Sequence, residues 1–185
     1  MANKVIFGLE NVHVCTYTVG SGGTVTLGTP MHIPGAVNMS LEADSEENVF
    51  WADNVKYYTS YSDNGFTGEL EMAAFPDEFK TTFMNYQALT GGGIVQIKGV
   101  KNKDVCIIFE SKGDDEHRRG ILYNVALGAI TREYSTTNES DEPVTATLAF
   151  TVNGDNATGI VKAEYPPTAD DYDDLFTEPP VPTLP

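Results

Sequence analysis

Three histidines, two cysteines and two acidic clusters are the side chains of this 185-residue chain whose types could do chemistry. A metal site needs several such ligands at workable spacing. His13, His32 and His117 are far apart in the sequence and show no i, i+4 pairing. His13 alternates within a strand-like run, and His117 lies in a charged turn. Cys15 and Cys106 sit in separate apolar runs outside any Cys-x-x-Cys pair, so zinc-ribbon and dithiol spacing is absent. They read as buried thiols, with a single disulfide between them left open. Asp114-Asp115-Glu116 and Asp170-Asp171-Tyr172-Asp173-Asp174 could attract calcium, yet neither has the spacing, glycine and terminal glutamate of an EF-hand loop. Gly91-Gly92-Gly93 follows a helical pattern instead of opening one, so it reads as a helix stop and not as a phosphate cradle. No nucleophile, base and orienting group are set out as catalysis requires. The expectation is a protein that is not an enzyme, with no catalytic, cofactor-binding or metal-binding residues and no cofactor.

The elements that would position any site are mainly strands. Residues 4–19 form an apolar, β-branched run broken by Gly8, and Thr24–Leu27 could follow as a short strand. Val37, Met39, Leu41 and Ala43 alternate with Asn38, Ser40, Glu42 and Asp44, the period-two pattern of a half-buried strand. A second such strand carries Phe66, Gly68, Leu70 and Met72 against Thr67, Glu69 and Glu71. Ile94–Val100, Val105–Phe109, Ile121–Tyr134 and Val144–Val152 add further strands. One helix is predicted from Pro76 to just beyond Leu89, with Asp77 and Glu78 complementing its positive end. Phe75, Phe79, Phe83 and Tyr86 give it an apolar stripe suited to packing on a sheet. The predicted fold is mainly β, a sandwich or barrel with one flanking α-helix and an extended C-terminal tail. Residues 1–164 form the domain, and 165–185 an acidic, Pro-rich tail whose composition favours solvated chain.

The net charge of −16 leaves too few cations to grip phosphates. Such a surface lets nucleic acid slide past without sticking. The N-terminus lacks the pattern of a signal peptide, and no apolar run is long enough for a membrane span. Residues 44–66 stand out. Phe50, Trp51, Tyr57, Tyr58, Tyr61 and Phe66 are six aromatics within 17 positions, bracketed by turn residues. They read either as an ordinary core hairpin or as a protruding arm whose aromatics bury against a neighbouring subunit. Tyr57, Tyr58 and Tyr61 do not share one strand face, which supports the arm.

Several segments in order resemble the major tail proteins of long-tailed bacteriophages, the phi13-like group. They are Phe7-Gly8-Leu9-Glu10-Asn11-Val12-His13, Ile33-Pro34-Gly35-Ala36-Val37, Trp51-Ala52-Asp53-Asn54, Gly65-Phe66-Thr67-Gly68-Glu69-Leu70-Glu71, Phe75-Pro76-Asp77-Glu78-Phe79, Arg118-Arg119-Gly120-Ile121-Leu122-Tyr123-Asn124-Val125 and Thr145-Ala146-Thr147-Leu148. The resemblance spans residue 5 to about 163 and leaves the tail out. It implies a structural virion protein that self-assembles into hexameric rings stacked as a tail tube, the conduit for DNA ejection. It implies sheets lining the lumen and a hairpin reaching an adjacent ring, a role that falls on residues 44–66. The implied partners are further copies of the chain, the tape-measure protein, the tail terminator and distal tail or baseplate proteins. DNA would pass without specific binding, and no membrane is involved. The implied location is the virion tail, after assembly in the host cytoplasm. Glu42, Glu69 and Glu71, on the polar side of the alternating strands, are candidates to face the lumen. The competing expectation is a carbohydrate- or receptor-binding β-sandwich that uses Trp51 and the tyrosines to stack on sugars.

Overall fold

Strict alternation along the chain must give strands with one buried face, and the computed structural model is built that way. It describes residues 8–112, 117–134, 136, 144–181 and 183. The acidic turn Asp114-Asp115-Glu116, the turn at 139–143 and the first residues of the first predicted strand lie outside the described residues. Among the described residues eleven strands form: β1 (Leu9–Val19), β2 (Val25–Leu27), β3 (Met31–His32), β4 (Ala36–Ala52), β5 (Val55–Met72), β6 (Gln87–Ala88), β7 (Ile94–Val95), β8 (Asp104–Ser111), β9 (Arg119–Arg132), β10 (Ala146–Val152) and β11 (Lys162–Tyr165). Helix α1 (Asp77–Phe83) follows β5, and a short 3-10 turn spans Asp173–Phe176.

Nine strands make one antiparallel sheet in the order β2-β1-β8-β9-β10-β5-β4, with β11 added to β9 and β3 to β1. The fold is mainly β with one flanking helix, as expected, and among the described residues no ladder joins the two ends of this path, so the sheet is open. It curls far enough to bring β1 within 8 Å of β4 between Cα atoms. Inside the curl lies the main core: Val12 and Val14 of β1, Val105 and Ile107 of β8, Leu148 and Phe150 of β10, and Leu70 and Met72 of β5. Phe75, Phe79, Phe83 and Met84 plug it from the helix side. The Phe79 ring lies 5.3 Å from Phe75 and 5.4 Å from Phe83.

The helix is shorter than expected. It ends at Met84, Asn85 takes a left-handed φ of 54°, and the chain turns away. Gln87–Ala88 then pairs with Ile94–Val95, so Gly91-Gly92-Gly93 is the loop of a small hairpin and not a helix stop. The aromatic stripe needed only two turns to bury itself, and the left-handed turn at Asn85 released the rest.

A second, smaller core lies on the outside of the sheet. Cys15, Tyr17, Cys106, Ile108, Ile121 and Tyr123 are covered by Val25, Leu175 and Phe176. The tail beyond Tyr165 differs here from solvated chain. Its aspartates are exposed, but Leu175 and Pro179 are buried. Arg119 holds this segment. Its guanidinium lies 3.9 Å from the Tyr172 ring centroid and 4.5 Å from that of Phe176, and its Nη1 donates to the Tyr172 carbonyl at 2.6 Å. Cation–π stacking and a backbone acceptor fix the strap where composition alone favoured solvent.

Candidate functional site

The β4–β5 hairpin is the feature that the rest of the fold does not use up. At its base, β5 residues 66–72 pair with β10 on one side and β4 on the other. From Ser45↔Asp63 to Ala52↔Val55 the two strands pair only with each other among the described residues. Eight residues at about 3.3 Å each make an arm about 26 Å long. Its turn is Asp53-Asn54, with φ of 50° and 62°, the left-handed pair that a tight two-residue hairpin requires.

The junction between base and arm is specified by Gly65. The register shifts between Ala43 and Ser45, and Gly65 takes φ +95° there. A Cβ on Gly65 would lie 2.1 Å from the Val152 carbonyl oxygen. Asp63 Oδ1 accepts the Gly65 N–H at 3.0 Å and closes the bend.

Phe50, Trp51, Tyr57, Tyr58 and Tyr61 are between 59% and 72% exposed on the arm. Phe50 opposes Tyr58 on one face, while Tyr61 opposes Glu47 on the other. Phe50 and Tyr57 meet edge to face at 6.5 Å. Phe66, the sixth residue of the set, is placed differently. It sits beyond Gly65 in the base, opposite Val152 and Ala43, and packs against the main core. The arm is therefore an aromatic ribbon exposed on both faces, which an isolated two-stranded hairpin in water does not sustain by itself.

Glu42, Glu69 and Glu71 are brought together on the outer face of the sheet. Glu69 opposes Ser40 and Ala149, Glu71 opposes Asn38 and Thr147, and Glu42 opposes Thr67, which opposes Thr151. Glu42 and Glu69 line a shallow depression of about 610 Å³ with Ser40, Thr67, Ala126 and Thr151. Glu71 is half-buried and accepts a hydrogen bond from Thr145 at 2.6 Å. Small hydroxyl and methyl side chains around carboxylates give a low, acidic surface.

The remaining candidates for chemistry do not converge. His13 pairs with His32 across β1 and β3, and its ring stacks 4.4 Å from Phe176. Burial holds His13 below its ordinary value, with the positive neighbours His32 and Arg119 acting in the same direction. His117 serves through its backbone carbonyl, which accepts the Tyr172 hydroxyl at 2.6 Å. Cys15 and Cys106 face each other across β1 and β8 as free, buried thiols in this structure. The hydrogen bond with Cys15, and then burial, push the Cys106 thiol well up, while the same hydrogen bond holds the Cys15 thiol below its ordinary value. Among the described residues no group of three His, Cys, Asp or Glu could hold a metal ion.

Two structural residues carried no sequence signal of comparable strength. Asp155 is buried, and its carboxylate accepts from Tyr17 Oη at 2.9 Å, Thr158 Oγ1 at 2.7 Å and the N–H groups of Ala157 and Thr158. Burial raises its carboxyl, but these donors outweigh burial and hold it below the ordinary carboxylate value. Asn124, left-handed at φ 51°, bulges β9 and donates to the Gly154 carbonyl at 2.8 Å.

A family model described as phage tail tube protein matches residues 1–171. A comparison with curated proteins gives no match. Among solved structures, the tube-terminating cap of the anti-feeding prophage is similar with a TM-score of 0.49 and 13% identity, covering 90% of this chain and 95% of that one. The sheath–tube complex of an extracellular contractile injection system, PVC, in its extended state gives 0.48 and 11%, covering 88% and 93%.

Proposed function

The chain belongs to the phage tail tube protein family, and from that premise we propose how its surfaces divide the work of a tube. The protein is a structural component of the virion tail, and its role is to build the tube by association with further copies of itself. In our reading the copies form stacked hexameric rings, and no catalytic step is involved. The arm at 45–63 makes the contact between subunits. Burying its aromatics is the principal driving force, since aromatic anchors dominate the energetics of interfaces. The acidic sheet face with Glu42, Glu69 and Glu71 lines the bore. At physiological salt its repulsion of phosphates reaches about 8 Å, enough to keep DNA off the wall without closing the passage. The tape-measure protein occupies the same bore before ejection, and the terminator and distal tail proteins cap the ends.

The observation that carries this reading is the arm: five aromatics exposed on both faces of a ribbon with which, among the described residues, no third strand pairs. Such a ribbon becomes stable when neighbouring surfaces cover it. The test is deletion of residues 48–63 followed by negative-stain microscopy of concentrated protein. The expected result is six-fold rings or tubes from the intact chain, and folded monomers from the deleted one. Tubes from the deleted chain would overturn the assignment of the arm.

A further inference from the structure

An arm that docks needs a receptor, and the distribution of charge and exposed apolar groups singles one out. The chain carries −16 overall, yet residues 79–103 hold four lysines, Lys80, Lys98, Lys101 and Lys103, and no carboxylate, Asp77 and Asp104 at the edges pairing with Lys80 and Lys101. Residues 44–63 have the opposite character: Asp44, Glu46, Glu47, Asp53 and Asp63 against Lys56 alone, a net −4. Ten of the fourteen exposed large apolar side chains lie in the same two places, the others being Val19, Val37, Val144 and Val181. Phe50, Trp51, Val55, Tyr57, Tyr58 and Tyr61 lie on the arm. Leu89, Ile97, Val100 and Tyr134 lie on or beside the lysine-bearing segment, Tyr134 being 86% exposed.

Beside these last groups runs an open groove of about 510 Å³, bounded by Phe75, Asp77, Lys80, Tyr86, Arg132 and Tyr134, with Lys80 Nζ paired to Asp77 Oδ1 at 2.9 Å. The adjoining loop, with Ile97 and Lys98, lies against Gly128 and Ala129, just before Ile130 of the groove wall. Asn102 Nδ2 ties that loop down through the carbonyls of Leu127 and Gly128, both at 3.0 Å. Arg132 is anchored by its Nη2 on the Ala73 carbonyl at 3.3 Å. The groove is thus held by the sheet, with cations at its rim and aromatic rings in its walls.

We infer that this groove receives the arm of a second copy of the chain. The inference rests on the arm reading given above. Acidic residues flanking the arm's aromatics meet Lys98 and Arg132, and the aromatic rings enter beside Tyr86 and Tyr134. Cations beside aromatic rings add cation–π attraction once water is displaced. Because the arm and the groove are different surfaces, the contact is head-to-tail. Such contacts propagate into rings that close or into continuing filaments, and do not stop at a symmetric dimer.

Two variants separate the halves of the contact. The arm variant is Trp51→Ala with Tyr57→Ala and Tyr61→Ala, which keeps its groove. The groove variant is Lys98→Glu with Arg132→Glu, which keeps its arm. Sedimentation velocity should show each alone as a monomer with an unchanged circular dichroism spectrum. An equimolar mixture should give 1:1 complexes, since one sound arm then meets one sound groove. A groove variant that assembles like the intact chain overturns the groove while leaving the arm standing. An arm variant that assembles overturns both. Two monomers that ignore each other when mixed overturn the pairing of this arm with this groove. Should the groove variant fail to fold, Lys98→Ala with Tyr134→Ala replaces it under the same outcomes. In the charge-exchanged chain, Glu46→Lys and Glu47→Lys added to the groove variant should recover assembly. Absence of recovery would argue against charge complementarity as its basis.

Discussion

The base and the arm of the β4–β5 hairpin are the same two strands with opposite surroundings. In the base, Leu70 and Met72 are fully buried against β10 and the helix, and Glu69 and Glu71 face outward, so period two divides core from solvent. In the arm, Phe50 and Tyr58 on one face and Tyr61 on the other are all exposed. The base is stabilised within one chain. The arm carries five aromatic side chains that stay mostly exposed among the described residues. In the proposed function, the contrast means that the arm's residues answer to a neighbouring subunit, while those of the base answer to the fold. Gly65 marks the border, where a left-handed bend held against β10 ends the one regime and begins the other.

The largest expected effect lies in the base. Leu70→Ala should lower unfolding stability by about 2–5 kcal/mol in urea titrations of the monomer, because it opens a cavity in a closed core. Trp51→Ala should shift the same titration by less than about 0.5 kcal/mol while abolishing tubes, since its side chain is mostly exposed. A stability loss at Trp51 comparable to that at Leu70 would erase the distinction between the two regions.

A smaller effect belongs to Asp155, whose loop braces the far end of β10. Asp155→Ala should cost about 1–3 kcal/mol by leaving Tyr17 Oη and two N–H groups without their acceptor. The sign with pH follows from its lowered value. Its contribution is fully present above the ordinary carboxylate value of about 4 and is lost as pH falls through the lower folded value. Acid titration should therefore loosen the base before it changes the arm, and Asp155→Asn should flatten that acid limb of the stability curve.

At the border, Gly65→Ala should cost about 1–3 kcal/mol, since it combines a left-handed backbone with a collision at the Val152 carbonyl. It should also misdirect the arm, so that assembly falls more than stability does. The smallest effect is expected on the acidic face. Glu42→Gln with Glu69→Gln should leave stability within about 0.5 kcal/mol and leave tube formation intact, while increasing the retention of DNA by assembled tubes at low salt.

The base was legible in the sequence because alternation there obeys a single rule. Met39, Leu41, Leu70, Leu148 and Phe150 face the core as their period-two positions require. Val37 escapes the rule because the register shifts between Ala36 and Asn38, and its side chain is exposed. The arm was legible as an aromatic cluster, but the division between Tyr61 outside and Phe66 inside depends on the Gly65 bend, a backbone event that composition does not encode. The helix end was lost for a similar reason, since the left-handed turn at Asn85 precedes the glycines that look like a stop. The strap had a faint signal in Tyr172, Leu175 and Phe176, spaced to share one side of a helical turn, but its anchor, Arg119, is 53 residues from Tyr172. Long-range pairs of that kind leave no mark on local pattern.

Hydrogen exchange of the intact chain, read residue by residue before and after assembly, tests the central claim most directly. The amides of 66–72 should be protected in monomer and tube alike, whereas those of 45–63 should exchange quickly in the monomer and gain protection in the tube. An arm that exchanges as quickly in the assembled tube as in the monomer would contradict the assignment of subunit contact to the arm.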